Sequence, residues 1–405
     1  MKKRKRKGRR PMAKKDDFHS IERTDELDEV IHKNRKRIFK IALTATLVVV
    51  LIILVAVLWM ELRTFKDYEL KSSMDALDNN TKKYEVFLGE IVEYSNDGIL
   101  YRDREWNRLW NQSFEMASPR ISICEGFLSI YDMGGTDIYI MNKDGLVKKL
   151  EMSKPIVTVD VARQGTVAVL MKQAGVAYVR LYNTDGEELT NGEFFQKQGS
   201  FPVDIALSMD ARKLAVDMVD ISDGSMNTTI QFYNFGSVGQ NEVNNEVGSF
   251  TFKDALFPTV QYVSNDRLLA IGDSEYAIFD GTQKPTLSGE YKYEQTVQSL
   301  FYNNKYLGII YSNNDDDNTF HIKVMDFKGK TVMEQDTSLP YSSVEFIGNN
   351  EVCIRSQYAC EIYTIHGIKK FVYTFDNELY KILSGRDSQS YTFVIEKTVE
   401  EVRLK

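Results

Sequence analysis

Short apolar runs closed by a Gly-containing turn recur along the chain, and this recurrence constrains the fold more than any other feature. Clear copies are "IYIMNKDGLVKKL" (138–150), "VRLYNTDGEEL" (179–189), "YAIFDGTQKP" (276–285), "IKVMDFKGKTV" (322–332) and "EIYTIHGIKKF" (361–371). Aligning the turn glycines Gly145, Gly186, Gly236, Gly281, Gly329 and Gly367 gives separations of 41, 50, 45, 48 and 38 residues. Periods of that length with several strands per unit are the signature of propeller blades. Asp-Gly and its relatives supply the positive-φ positions of tight hairpins. Repetition at similar places makes them turn chemistry rather than a ligand set.

One unit reads in full as "RISIC", "GFLSIYDM", "DIYIMNKDG" and "LVKKLEM", and the next repeats that order from "IVTVDVA". An earlier unit covers 84–114, with Asp103-Arg104-Glu105 in place of the Asp-Gly turn. After the last clear turn, "LYKILSGRDSQSYTFVIEKTVEEVRLK" supplies three strands and stops where a fourth would begin. The expected fold is therefore all-β: a propeller of about eight four-stranded blades, with seven as the alternative. An N-terminal segment near 78–88 is expected to supply the missing outer strand, because an open ring would leave sheet edges unpaired.

Ahead of the repeats lies "IALTATLVVVLIILVAVLWM" (41–60), twenty residues without a charge. At about 1.5 Å per residue this matches a bilayer's hydrocarbon core. A cleaved signal peptide is the competing reading, but its apolar region is shorter and ends in small residues. Lys33, Arg35, Lys36, Arg37 and Lys40 flank one end and Trp59 the other, which places the N-terminus in the cytoplasm. Residues 1–40 hold sixteen Lys/Arg against seven Asp/Glu, and the rest 35 against 51, so a +9 arm precedes a −16 body. The expected organisation is a basic cytoplasmic tail (1–37), a transmembrane signal anchor (38–60), a membrane-proximal helix or stalk (61–83) and an extracytoplasmic propeller (84–405). The helix reading of 61–83 rests on Leu62, Phe65, Leu70, Met74 and Leu77 at three- and four-residue spacing.

Candidate chemistry is sparse. Only Cys124, Cys353 and Cys360 follow the span, too few for a disulfide framework. Cys353 and Cys360 form either a cross-strand disulfide or two buried thiols. Asp315, Asp316 and Asp317 could offer oxygens to calcium, but the alternating spacing of a calcium loop is missing, which favours a solvated hairpin tip. His321 and His366 are the only histidines after the span, too few for a three-His zinc site. Trp106 and Trp110 could stack on sugars, yet they suit sealing the gap between neighbouring blades better. The Gly-rich "FYNFGSVGQN" (232–241) precedes no helix and so does not read as a phosphate cradle. The arm "KKRKRKGRR" (2–10) beside a span reads as attraction to anionic lipid headgroups rather than nucleic-acid binding. No catalytic, cofactor-binding or metal-ligating residue is nominated.

The repeated units resemble those of the PQQ-like propeller superfamily and, more distantly, WD40-like repeats; "NRLWNQ" and "TDGEEL" carry the likeness. The chain from 38 to 405 is similar to an uncharacterised family of single-span, surface-facing propeller proteins of Gram-positive anaerobes. The stretches "GTVAVLMK", "VRLYNTDGEEL", "FPVDIALSMDARKLAV" and "FYNFGSVGQN" carry that resemblance. It implies a propeller on a membrane anchor and brings no activity; the quinone enzymes' ligands do not map onto this chain, so no cofactor is implied. The expected function is a binding or assembly module for an envelope protein or cell-wall polymer. The alternatives are an envelope polysaccharide-active enzyme using paired carboxylates and a receptor signalling through the basic tail.

Overall fold

The computed structural model describes residues 19–75, 81–195, 200–221, 224–312 and 319–405. It divides into two compact units, 1–63 and 64–405. In the first, the described residues form one α-helix, His19–Glu61. Its Val30–Val55 portion is long and apolar enough to cross a membrane. No Pro or Gly interrupts it, and the hydroxyls of Thr44 and Thr46 donate back to the carbonyls of Lys40, Ile41 and Ala42. The hydroxyls inside the uncharged part of that stretch are thus satisfied within the helix, as a lipid environment requires.

In the second unit, the described strands form eight antiparallel sheets of four. The innermost strands are Lys83–Phe87, Pro119–Cys124, Ile156–Val161, Ser200–Leu207, Thr259–Ser264, Val297–Tyr302, Ser343–Ile347 and Leu379–Ser384, heading blades 1 to 8. These strands touch their neighbours at most of the seams and line the ring's centre. Second strands such as Val167–Gln173 and Ser390–Ile395 are near-continuous apolar runs because blades pack on both of their faces. Outer strands such as Glu188–Phe195 instead alternate between half-buried and exposed residues.

The core is not one mass. Eight apolar clusters each join two successive blades, so every seam between blades has its own layer. The last layer, between blades 8 and 1, unites Leu383, Val394 and Val399 with Tyr84 and Ile91. The ring is closed and has eight blades.

Closure uses a strand that the sequence pattern disguises. Blade 8 takes its outer strand from Tyr68–Asp75, which pairs antiparallel with Thr398–Leu404 from Tyr68↔Leu404 to Asp75↔Thr398. Within the expected helix or stalk over 61–83, Tyr68–Asp75 is therefore a strand, and the closing strand lies upstream of the expected 78–88. The cause is a bulge between Leu70 and Ser72, which breaks the period-two pattern and leaves Leu70 exposed. Lys83–Phe87 is the inner strand of blade 1 instead. Upstream of the closing strand, Phe65 is buried and bridges to Phe371 of blade 7, and the Thr64 hydroxyl donates to the Lys369 carbonyl. The N-terminal segment thus clasps two blades.

Candidate functional site

The repeated turns are structural. Asn183 Oδ1 accepts the N–H groups of Asp185 and Glu187 at 3.0 and 2.9 Å, and Gly186 holds φ +85°. Asp326 does the same for Lys328 and Lys330 around Gly329. Gly236 and Gly281 do not adopt positive φ; at Gly236, blade 4 replaces the tight turn with a longer connection. In blade 1, Asp103 Oδ1 accepts Asn107 N–H at 2.8 Å, and Trp106 occupies the glycine position at φ +68°.

That left-handed tryptophan marks the ring's closing seam. Its Nε1–H donates to Ser72 Oγ of the closing strand at 3.1 Å, and its ring joins the layer between blades 8 and 1. Trp110 Nε1–H donates to the Lys143 carbonyl at 3.1 Å, with its ring against Gly145 of blade 2. Both tryptophans seal gaps between blades, as their positions suggested. Arg104, nearly fully buried, donates to the Gly89 carbonyl and to Thr392 of blade 8. Between blades 7 and 8, buried Lys370 pairs with Glu351, which also accepts the Tyr391 hydroxyl at 2.5 Å.

The central channel holds a polar cavity of about 390 Å³ lined by inner strands of blades 2 to 6. Asp160 and Asp204 reach it, with Ser122, Tyr131, Gln261 and Tyr302 around them. Asp160 Oδ2 accepts Leu207 N–H of blade 4 at 2.8 Å, and its Oδ1 accepts the Ser122 hydroxyl of blade 2 at 3.0 Å. Asp204 Oδ2 accepts Val260 N–H of blade 5 at 3.0 Å. The carboxylates are rungs in a chain of inter-blade bonds. Burial lifts Asp160 to about 6 and Asp204 to about 7. Behind them, Asp217 stands opposite Asp204 on the neighbouring strand and is pushed up to about 8, by burial first and by Asp204 second.

The inner strands of blades 7, 8 and 1 carry an ion triad, with Lys381 Nζ 2.8 Å from Glu345 and 3.4 Å from Glu85. Burial alone would lower the Lys381 ammonium; the two carboxylates outweigh it and raise it. Burial raises Glu85. Sequence reasoning did not single out Asp160, Asp204 or Lys381. The available signal was a charge inside an otherwise apolar inner strand, as in "IVTVDV".

Of the residues weighed from sequence, His321 lies between Asp336 at 2.7 Å and Glu334 at 3.0 Å, on a strand pair remote from the channel strands. His366 is exposed in its turn. Cys353 and Cys360 are free, buried thiols, and register sets Cys353 opposite Ile362 and Cys360 opposite Arg355. Burial pushes Cys360 up to about 12. The Gly-rich 232–241 stretch ends a strand at Asn234 and opens an excursion with 3₁₀ turns at Gly239–Asn241 and, beyond it, Val243–Asn245. Asp315–Asp317 and the arm 2–10 lie outside the described residues. Among the described residues, no group of three or more His, Cys, Asp or Glu side chains is arranged to hold a metal ion.

The fold has known counterparts. BamB from Moraxella catarrhalis superposes with a TM-score of 0.51 at 12% identity, over 84% of this chain and 100% of that one. Sqt1 from Chaetomium thermophilum gives the same score, identity and coverage. A eukaryotic initiation factor gives 0.51 at 14% identity, over 82% of this chain and 84% of that one. At such identities the likeness establishes the fold alone. No curated protein matches the chain. A family model described as "Family of unknown function (DUF5711)" matches residues 61–404.

Proposed function

We propose that this chain, which belongs to the DUF5711 family of unknown function, is a membrane-anchored recognition module whose propeller faces the cell envelope. The observation that carries this reading is the closed eight-blade ring, each seam sealed by its own apolar layer. Closure completes blade 8, protects the short edges that remain and leaves loops on a rigid scaffold, the usual carriers of recognition. Residues 38–60 anchor the chain, the basic tail 1–37 meets anionic headgroups in the cytoplasm, and the partner is an envelope protein or wall polymer. The supporting observations are the apolar Val30–Val55 helix and the basic flank beside it.

A glycan-cleaving alternative draws on Asp160 and Asp204, which share one cavity with carboxyls lifted toward neutrality. Their oxygens accept N–H groups from neighbouring blades, so positioning the ring accounts for them without catalysis. The test places a photo-crosslinking residue at exposed Gln298, beside the channel, in intact cells. Covalent capture of one envelope component supports the reading. A purified chain that retains no envelope component yet cleaves wall glycan, and stops doing so in Asp204→Asn, would overturn it.

A further inference from the structure

Blades 3 and 4 part at their outer rim to leave a cleft of about 510 Å³. Strand register shows why. Past the outer-strand bulge, two alternate positions face the following blade: Trp110 and Gln112 in blade 1, Lys148 and Leu150 in blade 2, Met333 and Gln335 in blade 6, Phe371 and Tyr373 in blade 7. Blade 3 has Thr190 and Gly192 there, opposite Leu181 and Val179. At Gly248, another small residue at such a position, Pro285 of the following blade packs on the glycine; at Gly289 the Tyr291 ring, two residues along the same strand, folds closely over it. At Gly192 the atoms within reach belong to Phe194 of its own strand.

Blade 4 presents Gln231 and Tyr233 to this gap, paired with Val216 and Leu214 of the cleft floor. The Tyr233 hydroxyl donates to Gln231 Oε1 at 3.0 Å, which leaves the Gln231 amide donors with no described partner. Asn245 and Asn244, from the 3₁₀ turn at Val243–Asn245, close the far end at φ +61° and +57°, and their amides likewise have no described partner. Phe194, Tyr233 and Phe235 add aromatic surface. The acidic side chain at the rim, Glu193, is paired with Arg180 at 3.3 Å. An apolar floor, aromatic walls and a few convergent amides make up the anatomy of a small-ligand site.

We propose that this cleft binds an uncharged glycan bearing N-acetyl groups. The amides of Gln231, Asn244 and Asn245 match acetamido and hydroxyl groups, the aromatic rings cover sugar faces and acetyl methyls, and no unpaired charge favours an ion. This deepens the envelope-recognition reading and rests on it.

The test is calorimetric titration of the full chain, in a detergent without a sugar headgroup, with an N-acetylglucosamine tetramer as probe. Saturable binding is expected. Gln231→Ala should weaken it by about tenfold or more, the loss expected when a hydrogen-bonding group in such a cleft is removed. Gly192→Leu, which fills the gap at a position of ordinary φ, should abolish it while thermal unfolding stays close to that of the parent chain. No binding to the parent chain, or undiminished binding to a folded Gly192→Leu chain, overturns the proposal. So does competition by an unglycosylated extended peptide that binds the parent chain more tightly than the tetramer. Crosslinking to an envelope protein in cells combined with no tetramer binding would remove this inference and leave the recognition reading standing.

Discussion

Asp217 is fully buried on the second strand of blade 4, directly opposite Asp204, and neither of its carboxylate oxygens has a hydrogen-bond partner among the described residues. Burial and the facing carboxylate raise it from 3.8 to about 8 in the folded chain. The folded state therefore holds a proton that the unfolded chain releases above about pH 4, so stability is greatest below that value and falls as pH climbs toward 8. From about pH 4 to pH 7 the loss spans roughly three pH units at ~1.4 kcal/mol each, on the order of 4 kcal/mol. Asp204, itself raised, titrates with Asp217, so the loss belongs to the pair. In Asp217→Asn the amide cannot ionise and can donate to Asp204. Urea unfolding of the full chain in detergent, followed by tryptophan fluorescence, should show the variant more stable than the parent at pH 8 and nearly equal at pH 4. A gain of the same size at both pH values, or a loss at pH 8, would refute the reasoning.

Four further outcomes are open to measurement. Trp106→Ala should destabilise the ring by about 3 kcal/mol, whereas Trp106→Gly should lose about 1 kcal/mol less, because the residue sits at positive φ; urea midpoints decide between them. Lys370→Met leaves Glu351 buried without its cation and should cost about 3–5 kcal/mol, much of it recovered on adding Glu351→Gln. Burial alone would lower His321, but Asp336 and Glu334 outweigh it and raise it above 6.5, so its stabilisation is complete below about pH 6.5 and fades as pH rises through the folded value. The thermal midpoint of His321→Gln should accordingly fall below the parent's at pH 6 and converge with it at high pH. Deleting residues 64–75 removes the strand that completes blade 8 and should abolish cooperative unfolding by calorimetry.

The repeat made the architecture legible, because each blade needs a turn at the same place and a two-sided apolar second strand. The placement of Trp106 and Trp110 was legible as well, since a bulky ring near the outer-strand turn meets a neighbouring blade. The closing strand was not. Its bulge shifts the phase at Lys71, and its apolar residues then imitate helical spacing until Thr398–Leu404 is seen to pair with it. The channel carboxylates were hidden for another reason: Asp160 and Asp204 acquire meaning from N–H groups contributed by other blades, 47 and 56 residues away. The rim cleft was visible only as small residues at Thr190 and Gly192, and register was needed to turn absence of bulk into a gap.

Everything proposed for this chain depends on the propeller working outside the membrane, and labelling measures that directly. Cys124, Cys353 and Cys360 are all buried, so they should stay silent toward a membrane-impermeant maleimide while a cysteine placed at exposed Gln295 reports. Labelling of Gln295→Cys in intact cells, with Met12→Cys in the tail reacting only after lysis, is the predicted result. Protection of Gln295→Cys until lysis, with Met12→Cys labelled from outside, would contradict the account.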